Sequence, residues 1–116
     1  MQIFAVSLLA EDLPAAVHFY RDVLGLRLLS HHGEKPHFDL GESYLVLLPG
    51  KPALSTERFP LVALRVDNLD EKVKVLEEHQ VALPWGVETD GGSQWVMFHD
   101  PAGNLVELVE LKMGEP

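Results

Sequence analysis

The sequence predicts an α+β fold of two tandem βαβββ modules whose strands form a curved mixed-sheet cup. Three observations lead to it. Each half of the 116-residue chain opens on an apolar strand-like run, passes through a helix-start signal into helical spacing, and closes on three short apolar runs separated by turn residues. The halves superpose: setting Asp12 on Asn68 pairs Val6 with Val62, Leu8 with Leu64, Leu13 with Leu69 and Val17 with Val73. Between them, residues 49–60 carry three prolines and a glycine, the composition of a connector. The expected organisation is a single domain with a first module over about residues 1–50, a connector over about 51–60 and a second module over about 61–113.

In the first module, residues 3–9 are apolar but for Ser7 and predict a buried strand. Asp12 offers a side-chain acceptor to the free amides of a helix start, and Pro14 suits the first turn, where its missing N–H is not needed. Leu13, Ala16, Val17, Tyr20, Val23 and Leu24 recur at helical spacing, which predicts a helix over 13–24 ended by Gly25. Strands are expected over 26–31, 37–40 and 44–48, with turns at Gly33 and at Gly41-Glu42-Ser43. The second module repeats the plan. A strand over 61–66 precedes a capping box of Asn68 and Glu71, and a helix runs on to His79. Strands are expected over 81–88, interrupted at Pro84, and over 94–99 and 105–111, with turns at Asp90-Gly91-Gly92 and at 100–104.

Composition narrows the function classes. The 9 Lys+Arg against 18 Asp+Glu leave a formal charge of −9, which repels nucleic acid and anionic membrane surfaces. With no cysteine there is no disulfide, thiol nucleophile or thiolate metal site. The apolar residues 1–10 lack a basic flank and are too short to span a bilayer, so a cytoplasmic location is expected. No P-loop, Gly-rich dinucleotide fingerprint or Ser-His-Asp order is present.

Candidate site residues follow from strand parity. Trp95, Met97 and His99 share one face, an aromatic wall with one imidazole suited to an apolar or planar ligand. Glu107 shares a face with Leu105, Val109 and Leu111. If that face is buried, the carboxylate is a raised-pKa base or a ligand-binding group. If 106, 108 and 110 face the core instead, Glu107 is solvated, and a period of two cannot choose between them because Glu110 sits on the other face. Glu107 and His99 are the candidates for a catalytic base, and Tyr44 and His37 are candidate ligand contacts of the first module. His31, His32 and His37 lie near Asp39 and offer a non-standard cluster, although His31-His32-Gly33 also reads as a solvated turn.

The segment VSLLAEDLPAAVHFYRDVLGL (6–26) and the closing FHDPAGNLVEL (98–108) resemble the vicinal oxygen chelate superfamily, which includes glyoxalases, extradiol dioxygenases and bleomycin-resistance proteins. The resemblance covers nearly the whole chain. It implies a divalent metal held from four strand positions, often by His and Glu. Carried over residue by residue, those positions are Ala5, Val46, Leu61 and Glu107, of which Glu107 alone can coordinate. The expectation is therefore no metal or other cofactor. Glu107 moves to the cup face, and the chain is expected to bind a small molecule in a cup or in a groove at a homodimer interface. The alternatives are a divalent-metal-dependent lyase, isomerase or dioxygenase of the same superfamily, and a non-catalytic dimeric module.

Overall fold

The computed structural model describes residues 1–30, 35–54 and 57–112, so the candidates His31 and His32 lie outside the described residues. Two compact units emerge, Met1–Ser55 with Asp100–Asn104, and Thr56–His99 with Leu105–Pro116. Each contains a four-stranded mixed sheet and a helix, which makes the fold α+β as predicted. No described helix is long and apolar enough to cross a membrane.

In the first unit, β1 (Ala5–Ala10), β2 (Leu28–Ser30), β3 (His37–Asp39) and β4 (Tyr44–Pro49) form a sheet in the order β1-β4-β3-β2. The β1–β4 pair is parallel, with Ser7 opposite Val46 and Leu8 opposite Leu47, and the other pairs are antiparallel. The helix between β1 and β2 begins as predicted. Asp12 accepts a hydrogen bond from the Ala15 amide at 3.1 Å, and Pro14 sits in the first turn. After α1 (Leu13–His18), however, the chain widens into a π-helical turn over Phe19–Val23. The Leu24 amide reaches back five residues to the Phe19 carbonyl, and the Leu26 amide closes on Tyr20 across Gly25, whose φ of 80° a side chain would resist. Phe19 and Tyr20 are both buried there, their rings edge-to-face at 5.4 Å. The core gathers Leu8, Val17, Tyr20, Phe38, Leu45 and Leu47 on the helix side of the sheet.

A buried polar network completes this unit. The Tyr20 hydroxyl donates to Asp100 Oδ2 at 2.6 Å. The Ala102 and Asn104 amides donate to Asp100 Oδ1 at 3.0 and 2.9 Å. Asn104 Nδ2 donates both to Asp100 Oδ2 at 3.0 Å and to the Leu9 carbonyl at 2.9 Å. The turn predicted at 100–104 is thus closed from within by its own aspartate, with Gly103 at a φ of 101°.

In the second unit, β5 (Val62–Arg65), β6 (Glu88–Thr89), β7 (Ser93–His99) and β8 (Leu105–Leu111) form a sheet in the order β5-β8-β7-β6. Again the first and last strands pair in parallel. Against this sheet lies α2 (Leu69–Glu78), its Leu69 and Leu76 fully buried with Val96, Phe98 and Val106. The Asn68 side chain accepts from the Glu71 amide at 3.2 Å, one half of the predicted capping box. A second cap was not legible: Glu110 Oε1, on the helix side of β8, accepts from the Leu69 amide at 2.8 Å.

One predicted strand is corrected. Residues 81–88 are not a strand, and only Glu88–Thr89 pairs with β7. The Val81 amide is spent closing α2 on the Leu76 carbonyl, and the Gly86 amide turns back to Leu83 around Pro84, which has no N–H to give. β2 likewise starts two residues later than the predicted 26, because Leu26 is used in the helix end.

Two stability outcomes follow. Tyr20→Phe should cost about 1.5–3 kcal/mol in urea unfolding, the range for a hydrogen bond to a charged group. Burial first, and then the charge and hydrogen bond of Asp100, push the Tyr20 hydroxyl far above its ordinary value of 10.0. Tyr20 deprotonates more readily in the unfolded chain, so its contribution is complete below pH 10 and is lost as pH rises above it. Alkaline denaturation of the wild type should therefore steepen there, and that of Tyr20→Phe should not. Separately, Glu110→Ala should destabilise by about 1 kcal/mol through the lost cap, with Glu110→Gln recovering part of it.

Candidate functional site

The site is built on the face of the second sheet turned away from α2. Alternation along β8 settles the question the sequence left open. Val106 and Leu108 are buried on the helix side with Glu110, whose carboxylate caps α2, so Leu105, Glu107, Val109 and Leu111 occupy the opposite face. Register then carries that face across the sheet. Met97 stands opposite Glu107, Trp95 opposite Val109 and His99 opposite Leu105. On the other side, Ala63 of β5 stands opposite Glu107 and Arg65 opposite Val109, while Glu88 of β6 faces Trp95. The four second-module candidates, Trp95, Met97, His99 and Glu107, therefore share one face.

Glu107 is half-buried and framed by hydrocarbon: Ala63 and Met97 beside it, Leu105 and Val109 before and after it on its own strand. Burial first, and the charge of Glu88 second, push its carboxyl above the ordinary carboxylate range. Met97 and Leu105 are buried, Trp95 is half-buried and His99 is exposed. Two residues at the edge of this face, Arg58 and Glu88, were not among the sequence candidates for this site. Arg58, from the connector, forms an ion pair with Glu88 and lays its guanidinium over the Trp85 ring, 4.4 Å from the centroid. Glu88 was hidden because the sequence placed it at the end of a long strand. Its parity with Trp95 would have revealed it had the strand been cut at Gly86.

The first-module candidates lie together on their own sheet. Tyr44 and His37 are on the face turned away from α1, with ring centroids 6.3 Å apart, and Phe4 meets Tyr44 edge-to-face at 5.4 Å. His37 Nδ1 is engaged with the Lys35 carbonyl. Asp39 accepts from the Gly41 amide at 2.8 Å, which assigns it to the turn. Two further histidines are structural: His18 pairs with Asp22 on the exposed side of α1, and His79 closes α2 with its Nδ1 on the Val75 carbonyl at 2.9 Å.

The four strand positions at which the resemblance implies metal ligands can now be placed. Ala5 and Val46 lie on one face of the first sheet, opposite Tyr44 and Ser7 respectively. Leu61 donates its amide to the Leu105 carbonyl just ahead of β5, two residues before Ala63. Three of the four carry no lone pair, and among the described residues no three His, Asp or Glu side chains gather. Of these four positions, Glu107 alone offers a donor side chain.

Residues 2–108 match the model of the glyoxalase/bleomycin resistance protein/dioxygenase superfamily, and the chain belongs to that family. A lactoylglutathione lyase from Agrobacterium tumefaciens is 30% identical, with 94% of this chain and 92% of that one covered at a TM-score of 0.72. TnmS3, an antibiotic binding protein from a Streptomyces species, is 22% identical, with 97% of each chain covered at a TM-score of 0.80. A glyoxalase/dioxygenase from Nostoc punctiforme is 21% identical over 96% of this chain and 91% of that one, at a TM-score of 0.78. The last two show the shared fold. No curated protein matches the chain.

The Glu107 environment gives a stability prediction. Its carboxyl titrates above its ordinary value of 4.5 only in the folded protein. The ionised group therefore lowers stability as pH rises through the folded value, and the penalty is absent below pH 4.5. Glu107→Gln should raise the Tm at neutral pH, and the gain should vanish in acid. An unchanged Tm at pH 7 would contradict the burial argued here.

Proposed function

We propose that the chain is a metal-independent small-molecule binding protein, with the β5–β8 face that carries Trp95, Met97, His99 and Glu107 as its binding surface. One observation carries the reading: at the strand positions where the resemblance implies metal ligands, Ala5, Val46 and Leu61 put hydrocarbon, while the β5–β8 face keeps an aromatic ring, a thioether and two titratable groups in register. The fold itself does not choose, since it is shared by a lyase and by an antibiotic binding protein. Homodimerisation and action in the cytoplasm belong to the same proposal. The exposed Ile3, Phe4 and Phe59 supply apolar surface for a second copy, and light scattering tests it.

The second reading is a divalent-metal-dependent lyase, favoured by the 30% identity to a lactoylglutathione lyase. Elemental analysis separates the two. Protein purified without nickel and then incubated with Ni, Zn, Mn and Fe ions should retain no stoichiometric metal, and one held ion per chain would move the lyase ahead. In a tryptophan-fluorescence screen of drug-like aromatic compounds, saturable binding unaffected by EDTA is expected. Trp95→Ala should weaken it about tenfold, or ~1.4 kcal/mol.

A further inference from the structure

We infer that the β5–β8 face selects ligands with one positive charge on an apolar body, such as a protonated amine, and that Glu107 is the residue that sets this preference. The inference rests on the binding function proposed above and adds the ligand's charge. Geometry carries it. Glu107 is the central polar group of the face: its cross-strand partners are Ala63 and Met97, and its neighbours along the strand are Leu105 and Val109. It has no hydrogen-bond or ion-pair partner among the described residues. The charge acting on it is another carboxylate, Glu88. An unpaired carboxylate half removed from water gains most from an incoming cation, and an anion meets its repulsion.

Arg58 supplies an independent indication from the same edge of the sheet. Its guanidinium already sits between Glu88 and the Trp85 ring, so this protein seats one cation here through a carboxylate and an indole. That arginine is committed to Glu88. Arg65, the other cationic residue on the face, is also engaged. His99 is the remaining titratable group, on β7 opposite Leu105. A ligand amine reaching Glu107 would complete for it what Arg58 does for Glu88, while its hydrocarbon lies on Trp95 and Met97.

The test uses the full chain and three probes of matched shape at pH 7.5 and low salt: 2-naphthylmethylamine, 2-naphthylmethanol and 2-naphthoate, each titrated by tryptophan fluorescence. The amine should bind at least about tenfold more tightly than the alcohol, and the carboxylate most weakly. Glu107→Gln should abolish the preference for the amine, and a cooperative melt with a Tm no lower than that of the wild type shows that the variant is folded. Glu78→Gln, which removes one exposed charge from α2 on the opposite side of the same sheet, should keep the preference and so separates it from the general pull of a −9 chain. Equal binding of amine and alcohol by the wild type, or a preference that survives Glu107→Gln, would overturn the inference and leave the binding function standing. Failure of all three probes would overturn both.

Discussion

The buried carboxylate of Asp100 is the group on which the first unit depends. Four donors converge on it, from the Tyr20 hydroxyl, the Ala102 and Asn104 amides and the Asn104 side chain. A charge this deeply buried is tolerable only when its lone pairs are filled, and each filled lone pair ties down a different piece of chain. Tyr20 anchors the end of the first helix. Asn104, through the Leu9 carbonyl, anchors the end of β1. A turn that lies in sequence between β7 and β8 thereby becomes part of the unit formed by the first 55 residues. The π-helical turn serves the same arrangement, since it brings Phe19 and Tyr20 inward side by side.

The second sheet divides its two carboxylates on β8 by parity. Glu110 points toward α2 and satisfies the Leu69 amide, so its charge meets the positive end of a helix. Glu107, three residues earlier, is on the other face among hydrocarbon and feels Glu88. Two acidic residues on one strand thus have opposite relations to their surroundings, one satisfied by a helix amide, the other without a side-chain partner among the described residues. The proposed binding function and its charge preference both grow from that contrast.

Much of the fold was legible because its signals are local. Asp12, Pro14, Gly25, Asn68 and the 100–104 turn each act within a few residues, and each was found where it was expected. The strand predicted over 81–88 failed for a related reason: apolar character was visible, but whether the amides of Val81 and Gly86 were free to pair with another strand was not. Among the candidates, Trp95, Met97, His99 and Glu107 were brought to one face because strand parity is readable and β7–β8 pairs without a break. Glu88 and Arg58 escaped notice, since their ion pair spans thirty residues and depends on where β6 begins.

By itself, the sequence determined the order of elements and the repeat of the βαβββ plan, because each is a matter of residue type and short-range spacing. Tertiary structure alone decided which carboxylate of β8 faces the helix. Period-two alternation is symmetric, and only the packing of α2, with its Leu69 amide waiting for an acceptor, breaks that symmetry.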